Sequence, residues 1–306
     1  RGRRIRAAVS PVLLHHSEKG GTRMTKSKLS TWLLMLPSTG MLALLVVAPL
    51  AVLVFASLIQ GNNLALDAAL SLGNYATILE KGLFFPLMGK SLAMAGSVTA
   101  ACILLAYPTA YGLAKCVGEK HRNLLVVLII IPFFTSQLLL IYSMMVLLQA
   151  NGPVMSLLGL FGRNASTSIL YTNFAVFLIL LYEFLPYMVL CLYSSMCKIE
   201  DNQLYAAQVM GAGKARRFLD VIFPLSSPGL LSGIIIVFVP AAGSFVEANL
   251  AGGTNGMLIG SYIDTNFSVS LNIGRGCALC VLFLLVLCVI TLIINAVIRG
   301  VAGRRL

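Results

Sequence analysis

Few side chains in this sequence could do chemistry, and where they stand narrows what that chemistry is. Glu183 lies inside an apolar stretch, between Tyr182 and Phe184, with Tyr187 one helical turn later. An acid in such a stretch is costly unless it has a partner or a task. Flanked by aromatic rings, its carboxylate can hold an ammonium group by charge and by cation–π contact. The alternative is a neutral carboxyl, or one hydrogen-bonded to another helix. Glu247 and Asp264 come later, near the end of an apolar stretch and in the loop after it. There they either draw cations toward a mouth or simply face water. The other candidates fail on type or spacing. The three histidines, His15, His16 and His121, lie outside the apolar stretches, and neither G-x-S-x-G nor H-E-x-x-H occurs. Cys277 and Cys280 form a C-x-x-C without a second ligand pair nearby, which reads as small-residue packing. Gly211-Ala-Gly-Lys214 matches part of a phosphate-binding loop, but Gln208 replaces the upstream glycine and Ala215 the Ser/Thr. No catalytic residue, metal site or cofactor site is expected.

The elements that position Glu183 are read from composition. Of 306 residues, 58% are hydrophobic and 10% charged, whereas a soluble domain carries roughly a quarter charged residues. Trp32–Leu58, Ser91–Ala114, Asn123–Gln149 and Gly276–Ile298 contain no Asp, Glu, Lys or Arg. Ile169–Cys197 and Leu225–Val246 join them once Glu183 is tolerated. Each is long enough to cross a bilayer as a helix, which takes about 20 residues. The expectation is an all-α polytopic membrane protein with six transmembrane helices. The net charge of +12 is distributed by side. With the N terminus inside, only Lys81, Lys90, Arg163 and Arg275 of the 22 basic residues fall outside. This positive-inside bias puts both termini in the cytoplasm and explains the basic balance without nucleic acid.

Residues 1–23 read as a basic, disordered extension, with Met24 a natural start followed by the first span. Residues 24–86 then hold the first helix and an outer loop, 87–299 a five-helix core, and 300–306 a basic tail. Gly61-Asn62-Asn63 and Gly73-Asn74 mark turns in the outer loop. Short helices are expected around Tyr75–Gly82 and Pro153–Leu160. Gly229-x-x-x-Gly233 opens the fifth span, and Gly96 with Ala100 forms a similar pair in the second. Both permit close helix approach, within the bundle or against a partner subunit.

The inner loop 198–224, between the fourth and fifth spans, is long and distinctive. Asp201 or Asn202 can cap a helix. Leu204–Met210 is one short helical stretch containing Ala206 and Ala207, and Gly211 can take the left-handed conformation that ends it. Gly213–Phe223 reads as a second helix with Phe218, Val221 and Ile222 on its apolar face, and Pro224 marks entry to the fifth span. Both helices are expected to lie along the membrane surface, either as an ordinary interfacial loop or as a docking element.

Ala206-Ala207, Gly211 after three intervening residues and Pro224 thirteen residues later resemble the Glu-Ala-Ala loop of ABC importer permeases. Tyr205 stands where that family usually has glutamate. Tyr182–Met196, Pro240-Ala-Ala-Gly-Ser-Phe-Val and Gly252–Gly260 are similar to spermidine/putrescine importer permeases, in particular the first of their two permease subunits. The resemblance runs from about Ser30 to Ile298. It implies a type I importer permease fold in a bacterial cell membrane, and a coupling loop formed by Tyr205, Ala206, Ala207, Gly211, Ala212, Phe218 and Pro224. It also implies a second permease subunit, two copies of an ATPase and an extracytoplasmic substrate-binding protein. Closure of the ATPases would shift the bundle between inward- and outward-open states, and Tyr182, Glu183, Tyr187, Glu247 and Asp264 would lie on the substrate path. A permease for another solute (iron, an organophosphonate, a sugar) has the same architecture. A stand-alone secondary transporter gives no reason for the 205–224 loop, and no inverted repeat supports one.

Overall fold

The computed structural model describes residues 23–60, 70–159, 168–253 and 256–303. Residues 1–22 of the expected extension, the turn at Gly61–Asn63, Arg163 and residues 304–306 of the basic tail lie outside the described residues.

Hydrocarbon offers backbone amides and carbonyls no water, so each apolar run closes its own hydrogen bonds as a helix. Among the described residues, six helical stretches are long and apolar enough to span: Leu36–Ser57, Phe84–Cys116, Gln137–Leu157, Asn173–Met196, Lys214–Gly243 and Ile273–Ile298. The first lies in α1 (Arg23–Ser57), whose residues up to Val52 form a compact unit of their own. The packing described below is that of the second unit, from Leu53 onward.

The short helix α2 (Gly73–Glu80) holds the entry to that unit. Asn74 Nδ2 donates to the carbonyls of Ser57 at 3.0 Å and Ile59 at 2.8 Å, and Ile78 packs against Ala278 and Leu279. Next comes α3 (Phe84–Tyr111), which continues through a π-turn at Gly112–Cys116. It opens seven residues before the charge-free run does, because Lys90 is carried in its first two turns.

The third span departs from the expected continuous helix 123–149. It is divided into α4 (Glu119–Ile130), a 3₁₀ turn at Ile131–Phe134 and α5 (Gln137–Leu148). Pro132 supplies no backbone N–H, and Thr135 and Ser136 are extended, so the ladder stops and restarts. The short α6 (Pro153–Gly159) follows as expected.

The centre is built by α3, α7 (Asn173–Met196) and, beyond the short inner helices α8 (Asp201–Val209) and α9 (Lys214–Arg217), α10 (Phe223–Gly243). Ala95, Val98, Cys102 and Ala106 of α3 meet Leu180, Met188 and Leu192 of α7 and Val237, Ala241 and Ala242 of α10. The chain then forms α11 (Val246–Ala251), α12 (Ile259–Ser268) and α13 (Ile273–Gly303). Neither α11 nor α12 was expected, and the loop thought to hold Asp264 is largely helical.

The Gly229–Gly233 pair proves to be a contact inside the bundle. A Cβ on Gly229 would come within 2.5 Å of the Cys191 carbonyl oxygen of α7 and collide with the Ser195 side chain. On Gly233 it would stand 2.5 Å from Met188 Sδ. Gly96 has open space around its would-be Cβ, and Ala100 is exposed, so the second pair makes no such close contact among the described residues. Gly229→Ala is therefore expected to cost about 1–3 kcal/mol as overpacking and to lower the thermal midpoint in detergent, with Gly96→Ala within error of the parent.

Candidate functional site

The first part of the site lies where two helices are interrupted side by side. Glu183 is the eleventh residue of α7, so about 15 Å of helix separates it from that helix's outer end. Opposite it α10 stops at Gly243, and Ser244 and Phe245 turn the chain into α11. Glu247 was expected at the exit of the fifth span. The turn instead sets it against Glu183, because α10 ends level with the middle of α7. The two carboxyl groups are interacting neighbours.

Each carboxyl has a different setting. Glu247 is 2% exposed; it accepts from Gln137 Nε2 at 2.6 Å and from the Ser244 hydroxyl. Gln137 is the first residue of α5, so the break after Pro132 is what delivers this amide. Glu183 is partly buried, and among the described residues its Oε2 has no hydrogen-bond partner. Both acids line a cavity of about 410 Å³ together with Gln137, Tyr187, Pro240 and Phe245. An adjoining hollow of about 160 Å³ adds Phe133 and Pro186. The Phe133 and Tyr187 rings meet edge to face, 4.4 Å between centroids. Irregular backbone at this depth is tolerated where it lines such a cavity.

Of the residues expected on the path, Glu183, Tyr187 and Glu247 come together. Tyr182 is exposed on another face of α7 and does not line the cavity. Asp264 sits on α12, where it accepts from Asn249 Nδ2 at 3.2 Å, and it does not line the cavity either. Gln137, Phe133 and Ser244 were missed. Their signals were Pro132 followed by Thr-Ser within an apolar run, and Gly243-Ser244 after Pro240.

The second part is the inner loop. α8 begins three residues earlier than expected and ends at Gly211, whose φ of +80° is the left-handed conformation that glycine adopts without strain. The expected capping bond of Asp201 is replaced by an ion pair: its carboxylate accepts from Lys115 Nζ at 2.6 Å. Ala207 faces the bundle, whereas Tyr205, Ala206, Val209 and Met210 are exposed, Val209 at 88%. The two alanines therefore lie on different faces of α8. Ala212 closes the turn by donating its N–H to the Ala207 carbonyl at 3.0 Å.

The second surface helix, expected at 213–223, is not separate. α9 runs through a π-turn at Phe218–Ile222 directly into α10, giving a 30-residue stretch Lys214–Gly243. Pro224 is buried within it and has no N–H to donate. The π-turn just before it lets Phe223 N–H bond the Phe218 carbonyl, so the ladder absorbs the proline instead of breaking.

Residues 106–302 match the model of the family described as the binding-protein-dependent transport system inner membrane component. The chain belongs to this family. It is 37% identical over 204 residues to the spermidine/putrescine transport system permease protein PotB of Haemophilus influenzae, covering 66% of this chain and 71% of the relative. It is 36% identical over 230 residues to the corresponding protein of Escherichia coli K12, covering 74% and 83%. The fold matches a chain of a bacterial alginate ABC transporter, solved with its alginate pentasaccharide-bound periplasmic protein, at a TM-score of 0.70. Identity there is 18%, with 92% of this chain and 98% of that chain covered. This permease is thus a multi-pass inner-membrane subunit of an ABC importer with the fold that the loop motif implied. Such a subunit is a non-catalytic transport component.

In this permease, the Gln137 amide holds Glu247 in the orientation that faces Glu183. Gln137→Leu leaves that carboxyl oxygen without its donor, at a cost of about 1–3 kcal/mol for a buried polar group left unsatisfied. A double-mutant cycle with Glu247→Gln, read from thermal unfolding in detergent, is expected to return a coupling energy of about 1 kcal/mol or more between them.

Proposed function

We propose that this permease carries polyamines, the spermidine and putrescine class, from an extracytoplasmic binding protein into the cell. It would work as a heterodimer with a second permease and two copies of an ABC ATPase. Support for the substrate class comes from the 36–37% identity to spermidine/putrescine permeases over most of the chain. The single observation in this chain that carries the reading is the Glu183–Glu247 pair in the interrupted middle of the bundle.

Two neighbouring carboxyl groups away from bulk water favour a cation between them. A primary ammonium fits that demand, since it offers three donors and needs no acceptor. The unpartnered Glu183 Oε2 provides one acceptor, and Glu247, steadied by Gln137 and Ser244, provides another. A second ammonium or methylene segment of the same molecule would lie along Tyr187 and Phe133, where cation–π attraction and apolar contact both apply. Tyr182 would then face lipid or the partner permease, and Asp264 would stand nearer the outer mouth.

The inner loop supports the drive in the same reading. α8 presents the exposed apolar set Tyr205, Val209 and Met210, a surface suited to a groove in an ATPase. With Tyr205 in place of a glutamate, that contact would be apolar where the family's is charged. Ala206 lets the helix approach closely, Gly211 and Ala212 turn the chain, and Phe218 and Pro224 pass the motion into α10. ATP binding would bias the bundle toward one state by favouring the closed arrangement of the ATPases.

The test is spermidine uptake into proteoliposomes that contain the complete complex and loaded binding protein. Uptake that requires ATP and is competed by putrescine is expected, and a neutral sugar should not compete. Glu183→Gln is expected to lower uptake by about tenfold, equivalent to 1.4 kcal/mol, with membrane insertion unchanged. Unaltered uptake kinetics in that variant would remove Glu183 from the path.

A further inference from the structure

Among the described residues, polar and aromatic contacts fasten the 201–224 loop to the last turns of α3 and the π-turn after it on two sides. On the near side, Lys115 in the π-turn Gly112–Cys116 donates from Nζ to the Ile199 carbonyl at 2.5 Å and to Asp201 Oδ1 at 2.6 Å. Ile199 is buried just before α8, and Asp201 is its first residue. On the far side, Tyr107 meets the chain returning toward α10. Its ring packs edge to face on Phe218 at 5.4 Å and stacks on Phe223 at 6.4 Å, and its hydroxyl lies 3.2 Å from Ser226 Oγ.

Between these fastenings Ala207 and Ile222 are buried and Leu204 packs against the core, beside an open space. A hollow of about 420 Å³ is lined by Tyr111, Leu204, Lys214, Arg217, Phe218 and Ile222. A displacement of α8 therefore has a short list of routes inward. The aromatic contact on the far side belongs to a stretch already continuous with α10. The Lys115 contact ties the start of α8 to a different helix by a charged hydrogen bond. The lysine side chain is 13% exposed and Asp201 65% exposed, so the buried partner belongs to the bundle and the accessible one to the loop. A charged bond between a partly buried cation, a backbone carbonyl and a carboxylate is directional and stronger than a neutral one. The π-turn beneath it is a hydrogen-bonding irregularity of the kind found at functional positions in helices.

We propose that Lys115 is a positioning residue that transmits displacement of α8 to α3, so that motion of the inner loop reaches the Glu183 cavity through α3 and α7 as well as through α10. Without this bond the loop would still dock, but α3 would follow it poorly. This rests on the reading of α8 as the ATPase-docking helix.

The experiment uses the complete complex purified with its ATPase. An F245C reporter is placed in the cavity, and its maleimide labelling is followed by mass spectrometry of that one peptide. In the Lys115 parent, ATP with vanadate is expected to change the labelling rate at least fivefold relative to the nucleotide-free state. K115M is expected to keep ATP hydrolysis and subunit stoichiometry while the nucleotide-dependent change falls below twofold. K115R, which keeps the cation, is expected to recover most of the change, a rescue that a merely structural role for the lysine stem does not predict. If K115M does not assemble, D201N decides: it keeps the bond to Ile199 and should show an intermediate response. A K115M complex that responds like the parent, or in its absence a D201N complex that does, overturns the proposal. A parent that purifies without ATPase removes the docking reading and this proposal together. A responding parent with an equally responding K115M removes this proposal alone.

Discussion

The close approach of α10 to α7 is the contact on which the rest of the molecule depends. Gly229 and Gly233 bring the α10 backbone onto Cys191, Ser195 and Met188 with no room for a methyl group. In lipid there is little hydrophobic drive between helices, so association relies on such backbone-level packing and on polar links. The Tyr107–Ser226 contact adds a polar link between α3 and α10 next to that seam. With α7, α3 and α10 fixed, the outer ends of the same helices have determined positions. α10 ends where Glu183 lies on α7, and the chain has to turn there.

That turn, and the break between α4 and α5, are costly features in a bilayer, since both leave backbone groups outside a regular ladder. They are placed side by side and they face a cavity. Gln137 restarts one helix and Glu247 lies in the first turn of the other, and the hydrogen bond between them joins the two interruptions. The polar groups are therefore concentrated in one place, and the remaining faces of these helices stay apolar toward lipid or a partner subunit. At the other end of α7, the inner loop meets α3 through Lys115 and Tyr107, so one set of three helices serves both the cavity and the loop.

Much of this was legible in the sequence because it rests on one-dimensional signals. Charge-free runs of membrane length gave the spans, Gly211 gave the end of α8, and the Gly229–Gly233 spacing gave a close-packed face. The spacing of Ala206, Ala207, Gly211 and Pro224 gave the family. What stayed hidden depends on where chains stop in space. Nothing local shows that α10 ends level with the middle of α7, so Glu247 looked like an exit residue when it is a partner of Glu183. Pro132 announced an irregularity, but only the fold reveals that the helix restarting at Gln137 points its amide at Glu247. Proline was also read too simply at the inner loop. A π-turn takes up Pro224 without a break, and so α9 and α10 form one continuous stretch where a separate surface helix was expected. Asp201 looked like a helix cap, yet its carboxylate is engaged by a lysine 86 residues away in the chain.

In the proposed function one device has two ends: a surface on α8 that would receive drive, and a paired-carboxyl cavity that would receive a cation. In this proposal the drive comes from a separate ATPase. Affinity purification of the tagged permease from its native membranes, with partners identified by mass spectrometry and counted against the bait, measures this. The account predicts one second permease and two ATPase copies per bait, with the ATPase lost when Val209 and Met210 are replaced by aspartate. Recovery of the permease pair with no ATPase, or an ATPase retained undiminished by the aspartate variant, would contradict it.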